Sequence, residues 1–331
     1  MTVDQEIHSG EQERPADSHT IHISKADRLR IAKAVRPYRR APVQVFCREG
    51  FADFGDLEEY QASVADDLKR VLPESVLATI AEVAAKKKTV VMISGLPLEE
   101  VTSSSRIDFA GSEKNSYCPV LLGMGCLLNK RSVDGKIFKK VDDSPQELPL
   151  HHDDAVYDIL LCLHGHRDIK THYYDIHSLK NHEEFRRLTN QLSRKAFRDK
   201  SNGVIEILER LFAKKSPILV HSDGELTFNQ DFMMFCNLKG NDADAQKALD
   251  EFLVFMKSVE PSHSFNLRRG DMIIAGPDQV HLRSATEQMN TGKNHRTFVA
   301  WLMGDKPCQQ YDSVYLEKCK QRYQSRERDD F

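Results

Sequence analysis

The sequence predicts an α+β chain in which a β-sandwich core of jelly-roll type is flanked by helices, and three observations lead there. Apolar runs of strand length, bounded by Gly, Pro, Asp and Asn, occur at residues 158–163, 217–220, 272–275 and 297–302. They do not alternate with helices as a βαβ protein requires. The chain also carries no glycine-rich phosphate loop and no internal repeat.

The helices lie mostly before and between those runs. Asp56-Leu57-Glu58-Glu59 combines an acidic start with a Glu three residues on, and Tyr60, Val64, Leu68 and Val71 follow at helical spacing until Pro73 ends the pattern. A second helix runs from Glu74 to about Lys87 and feeds the β-branched run Thr89-Val90-Val91-Met92-Ile93, closed by Gly95-Leu96-Pro97. Two helical insertions interrupt the strands. One starts at Asn181, with Glu184 as its third-position partner, and the other near Asn241, with Leu249, Phe252, Leu253 and Met256 on one face. The domain plan is therefore a polar, flexible arm over residues 1–22 and one domain over 23–331. That domain has a helical N-terminal part at 23–145, a jelly-roll core at about 85–305, and insertions at about 181–215 and 241–258.

Composition excludes several function classes. Of 331 residues, 40% are hydrophobic and 29% charged, as in ordinary globular chains. Lys and Arg total 47 against 50 for Asp and Glu, a balance that argues against nucleic acid as a partner. No window holds the roughly 18 apolar residues of a membrane span, and the polar start Met1-Thr2-Val3-Asp4 has no signal-peptide core, so a cytoplasmic protein without membrane contact is expected. Seven cysteines without a CxxC pair fit reduced thiols and offer no zinc site.

The chemistry concentrates in two places. Leu148-Pro149-Leu150-His151-His152-Asp153-Asp154 delivers a His-x-Asp pair on an extended stretch, where residues two apart point to the same side and one metal can bind both. The adjacent pair His152 and Asp154 has the same spacing. Far downstream, the turn Arg269-Gly270-Asp271 and the run Met272-Ile273-Ile274-Ala275 lead to His281. Two imidazoles and one carboxylate on one face of an octahedron leave three positions open, as an Fe(II) oxygenase requires. A keto-acid co-substrate would fill two of them and leave one for O2. Its distant carboxylate needs a fixed cation, and Arg296, on the apolar run that ends in Trp301, can supply a bidentate fork. His164, His166, His172 and His177 are left as structural or surface residues.

With these residues in view, the chain resembles the clavaminate synthase-like (TauD-type) branch of the Fe(II)/2-oxoglutarate oxygenases, in particular the bacterial free amino acid hydroxylases. Leu150-His151-His152-Asp153-Asp154-Ala155 is similar to that branch's His-Thr-Glu-Asp-Ala motif, with Asp for Glu. The family register selects His151 and Asp153 over His152 and Asp154. Ile159-Leu160-Leu161-Cys162-Leu163 and Lys170-Thr171-His172 resemble the strand and the 2-oxoglutarate-contacting threonine, and Val90 to Glu100 resembles an early strand and turn. Departures are equally visible. Gly276-Pro277-Asp278 stands where the family has Asp-Asn, Ala300 where a second cation often follows the Arg, and Val133 where a Gln often stands.

The resemblance implies a double-stranded β-helix, cupin-like core. It implies Fe(II) held by His151, Asp153 and His281, 2-oxoglutarate held by Arg296 and Thr171, and consumption of O2. It implies hydroxylation of a C–H bond in a small polar, cationic amino acid or derivative, with succinate and CO2 as co-products. Asn229-Gln230-Asp231-Phe232-Met233 resembles the segment whose acidic residues hold a basic side chain, so Asp231 and Asp154 are the expected substrate contacts. The carboxylate ligand points away from the related halogenases, which carry Gly or Ala there. Two alternatives remain beside this reading: desaturation, cyclisation or action on a carrier-bound or protein substrate, and a jelly-roll protein that binds metal or a small acid without turnover.

Overall fold

The computed structural model describes residues 19–38, 54–85, 89–98, 119–129, 138–141, 148–151, 157–164, 169–199, 215–222, 224–229, 235–276, 279–285 and 296–302, with positions 314, 317 and 321 of a C-terminal helix. In chain order the elements are β1 (Thr20–His22), α1 (Lys25–Val35), α2 (Phe54–Val71), α3 (Glu74–Ala84), β2 (Val90–Ser94), α4 (Pro119–Asn129) and β3 (Phe138–Val141). Then follow β4 (Leu148–His151), β5 (Tyr157–His164), β6 (Ile169–Asp175), α5 (Ile176–Leu179), α6 (Glu183–Leu192), β7 (Phe197–Asp199), β8 (Leu219–Ser222) and β9 (Glu225–Phe228). The chain continues through β10 (Leu238–Gly240), α7 (Ala243–Ser258), β11 (His263–Phe265), β12 (Met272–Ala275), β13 (Gln279–Ala285) and β14 (Arg296–Leu302).

The run at 217–220 leads into β8, which pairs with β9 in a small sheet, whereas the other three apolar runs and the run from Val90 lie in a six-stranded sheet of order β1-β2-β12-β5-β14-β3. These runs are apolar at successive positions, with no polar alternation, because both faces of the sheet are covered. Val91, Ile93, Ile159, Leu161, Met272 and Ile274 face outward into a cluster with Ile31, Val64, Leu68, Val76, Ile80, Leu121 and Met124 of α1 to α4. The intervening residues Val90, Met92, Leu160, Cys162, Ile273 and Ala275 face inward and pack with Tyr173, Phe265 and Leu267. Tyr173 and Phe265 belong to the second sheet, of four strands in the order β11-β6-β13-β4, so the two sheets meet across this layer. Each large aliphatic side chain buried this way contributes roughly 1.5–3 kcal/mol.

The outer face of the smaller sheet is covered in turn. Leu150, Tyr174 and Val280 pack against Ile176 and Leu179 of α5, Phe185, Leu188 and Leu192 of α6, and Leu249, Phe252, Phe255 and Met256 of α7. Asp242 starts α7 by accepting a hydrogen bond from the backbone N–H of Ala245 at 2.7 Å, and its other oxygen accepts from Arg194 at 3.0 Å. On the opposite side, the Tyr38 hydroxyl donates to Asp67 at 3.0 Å, and burial followed by the Asp67 charge pushes its pKa up.

Three expectations are corrected. Residues 20–22, assigned to the flexible arm, form β1 and pair parallel with β2, with Ile21 packed on the outer cluster; a three-residue strand whose partner lies 72 positions on has no local periodicity to betray it. The insertion expected at 181–215 is not helical throughout. Among its described residues, α6 ends at Leu192 and Phe197, fully buried, starts a strand that pairs with β10. Asn181 does not cap α6, because its backbone N–H closes the preceding turn on Ser178 O; His182 takes the cap position without a side-chain bond. β3, where the expected helical part and jelly-roll core overlap, pairs with β14. The insertion expected near 241 is α7.

The Arg269-Gly270-Asp271 turn leads into β12 and is bonded to the ends of β2 and β5, the strands that flank it. Asp271, buried, accepts from Ser94 Oγ at 2.7 Å and from Arg268 N at 2.8 Å, while Gly270 N donates to Cys162 O and Leu96 N to Gly270 O. Gly270 has φ +85°, and a Cβ there would lie 2.4 Å from Leu96 O. Gly224 has a similar φ of +82° with nothing near its Cβ position. Gly270→Ala is therefore expected to cost more than about 2 kcal/mol in denaturant unfolding, and Gly224→Ala about 1 kcal/mol; equal losses would remove the backbone clash as the cause.

The Asp242 cap generates a pH-dependent expectation. The hydrogen bond from Ala245 and the neighbouring Arg194 hold its carboxyl below the ordinary value of 3.8. A depressed folded-state pKa stabilises the fold above the ordinary value, and that stabilisation is lost as pH falls through the lowered one. Asp242→Ala should lower the melting temperature at pH 7 and narrow its deficit from the parent protein as the pH drops below 3.8.

Candidate metal centre

The inner face of the four-stranded sheet does not continue the apolar layer at one end. β13 lies between β4 and β6, and its register sets His281 opposite His151 on one side and opposite Tyr173 on the other. The pattern follows from strand alternation: Leu150 and Val280 turn outward to the helices, so His151 and His281 turn inward. Both histidines are buried. Their ring centroids are 3.9 Å apart at 61°, and the Tyr173 ring lies 5.1 Å from His281 at a tilt of 32°.

A bulge shapes this corner. β13 pairs His281 with His151 and Arg283 with Leu148, so Pro149 and Leu150 oppose the single residue Leu282. Pro149 has no N–H to give to the ladder, and its carbonyl lies 2.7 Å from His151 Nδ1. A carbonyl only accepts, so Nδ1 carries the hydrogen and the lone pair of the neutral ring sits on Nε2. That is the tautomer in which a backbone carbonyl orients a metal-binding imidazole.

The rest of the same face is polar. Thr171 pairs with Arg283 and Gln279 with Asp175. Both Thr171 and Gln279 are buried, and Thr171 Oγ1 and both polar atoms of the Gln279 carboxamide lack a hydrogen-bond partner. Each such group costs about 1–3 kcal/mol when left unsatisfied. A sandwich interior lined by two imidazoles, a hydroxyl and a carboxamide therefore fits a polar occupant, and the donor set fits a divalent transition metal.

The sequence-derived residues divide as follows. His151, His281 and Thr171 share this face. The backbone of Arg296 opens β14 in the facing sheet, paired with His164 at a register irregularity, and its side chain is not among those described. Asp153, Asp154, Asp231 and the competing His152 lie outside the described residues. Among the described residues no group of three His, Cys, Asp or Glu side chains comes together. His172 points the other way from its neighbours Thr171 and Tyr173 and bonds Ser264 Oγ at 2.7 Å; burial, then Lys170, lowers its pKa. Tyr173 and Gln279 were not read from the sequence, although counting two residues on from Thr171 and two back from His281 reaches both.

No family model matches the sequence, and no curated protein matches it. Solved structures do match. The structure of asparagine oxygenase in complex with Fe(II), 2S,3S-3-hydroxyasparagine and succinate has a TM-score of 0.64 over 86% of this chain and 93% of that chain. The chain shares the fold of asparagine oxygenase. Identity is only 13%, so the likeness carries the fold and not the chemistry. The non-heme iron oxygenase OrfP, in complex with Fe, succinate and (3S)-hydroxy-L-Arg, has the same fold at a TM-score of 0.61 and 16% identity, over 86% of this chain and 94% of its own. Its complex with Fe and L-homoarginine matches at 0.57 and 17%, with the same coverage. Within the asparagine oxygenase fold, the two histidines of this chain stand on adjacent strands of one sheet.

If the two imidazoles form a metal site, His281→Ala lowers the affinity for Co(II), measured by calorimetry, by at least about 100-fold, more than is usual for losing an outer hydrogen-bond partner. Unchanged Co(II) affinity in a folded His281→Ala protein would remove His281 from the site.

Proposed function

We propose that the chain is an Fe(II)/2-oxoglutarate-dependent dioxygenase that hydroxylates a small polar, cationic amino acid or derivative. The single observation that carries the reading is the inward-facing pair His151 and His281, held at 3.9 Å between ring centroids inside a fold shared with asparagine oxygenase and OrfP. The two packed sheets are read as a double-stranded β-helix of jelly-roll type, with the site at one end of the layer between them.

His151 and His281 supply two neutral donors, and Asp153, two positions past His151 in the chain, supplies the carboxylate. The hydrogen bond from His151 Nδ1 to Pro149 O keeps Nε2 free for the metal and restrains the ring. Tyr173 lies against His281 and restrains it from the other side. Bound iron with 2-oxoglutarate and O2 supplies an oxidant able to take hydrogen from an unactivated C–H bond, with succinate and CO2 as co-products. The protein's part is positioning. Arg296 provides a planar, permanently charged fork for the far carboxylate of the keto-acid. The buried Thr171 hydroxyl, which lacks a partner, donates to the same molecule. Asp154 and Asp231 hold the cationic end of the substrate by charge complementarity.

The neighbours' ligands support the amino-acid part of this reading, since the bound molecules include hydroxyasparagine, whose side chain is neutral, as well as hydroxyarginine and homoarginine. Among the described residues no helix is long and apolar enough to cross a membrane.

Anaerobic titration of the iron-loaded protein with 2-oxoglutarate tests the reading. A visible metal-to-ligand charge-transfer band is expected, followed by succinate release when O2 and a panel of amino acids are added. The band should be absent in His151→Ala and His281→Ala. A wild-type protein that binds iron yet never develops the band would sink the proposal.

A further inference from the structure

Gln279 is polar, buried and unused by the chemistry above. It is 4% exposed, and neither Nε2 nor Oε1 has a hydrogen-bond partner. β13 pairs with β6 from Gln279 to Ala285 without a register shift, so alternation is unbroken and Gln279 shares the inner face with His281. Val280 between them belongs to the outer cluster. The residue opposite, Asp175, is engaged elsewhere, since its carboxylate accepts from His177 N at 2.9 Å and starts α5. Two rungs along the same face, Thr171 Oγ1 also lacks a hydrogen-bond partner, so the orphaned groups bracket His281.

A primary carboxamide offers one acceptor and two donors in a single plane. Burying all three without partners opposes folding, and the position two residues from His281 makes a bound ligand the natural source of those partners. The residue type is informative as well. A carboxylate at this position would compete for a cation held by His281, whereas a neutral amide reads a polar ligand without drawing on the metal. A free amino acid presents an ammonium donor and a carboxylate acceptor on one carbon, the complement of one carboxamide.

We propose that Gln279 is a substrate-binding residue that holds the head of an amino acid, Oε1 accepting from the α-ammonium and Nε2 donating to the α-carboxylate. The proposal rests on the oxygenase reading of the site and adds a specificity determinant to it.

Two measurements on full-length Gln279→Met test it. In metal-free protein the substitution removes an unsatisfied amide at nearly constant volume, and the melting temperature should rise by roughly 2 °C. In protein loaded anaerobically with Fe(II) and 2-oxoglutarate, binding is titrated with L-arginine, L-lysine and L-asparagine, and with their decarboxylated counterparts agmatine, cadaverine and 3-aminopropanamide. Gln279→Met should keep the charge-transfer band, weaken the best-bound amino acid at least tenfold, and erase its preference over the decarboxylated partner. A lowered melting temperature with unchanged amino-acid affinity makes the amide structural and overturns the proposal, as does unchanged discrimination. Wild-type protein that shows the band but binds none of the three amino acids overturns the assignment of the head group while leaving the oxygenase reading in place. Loss of the band in wild type overturns that reading, and this inference with it.

Discussion

The hydrogen-bonded register of β13 between β4 and β6 is the constraint on which the rest of the molecule depends. It sets His281 beside His151 and in front of Tyr173, and a slip of one residue would exchange His281 for Val280 on the inner face. The outer face resists that slip. Leu150, Tyr174 and Val280 are buried against α5, α6 and α7, so a shifted strand would drive imidazole into that cluster and expose aliphatic surface. The apolar contacts of the outer side thus hold the polar arrangement of the inner side.

That arrangement is costly for the fold. Thr171 and Gln279 lie where most sandwich interiors carry aliphatic residues, and their polar atoms find no partners. Two large clusters, one under α1 to α4 and one under α5 to α7, offset the cost. The division is a general one: stability comes from the outward faces of both sheets, and the layer between them is released for chemistry.

Strand type was legible wherever burial on both faces left an unbroken apolar run, as in Met272 to Ala275, whose bounds match β12. The ends of the helices were less legible. The Asn181 signal belongs to the turn that closes α5, and local sequence does not say which of two successive helices uses a capping residue. β1 escaped because its evidence is its partner: Thr20, Ile21 and His22 become a strand only against Met92, Ile93 and Ser94. At the site, His151 and His281 stood out through their residue type and flanking runs. Gln279 did not, since the absence of partners around an amide is a property of the assembled sheet. Asp153, Asp154 and Asp231 were found by spacing and resemblance and lie outside the described residues.

Pro149 has a consequence beyond orienting His151. β4 is the edge of its sheet, and an edge strand presents open backbone groups to any other extended chain. Pro149 is exposed on that edge and offers no N–H to an incoming strand, and the bulge at Pro149 and Leu150 breaks the flat repeat such a strand would need. The residue that directs the imidazole therefore also guards the site's own strand against intermolecular pairing, joining solubility to the geometry of metal capture.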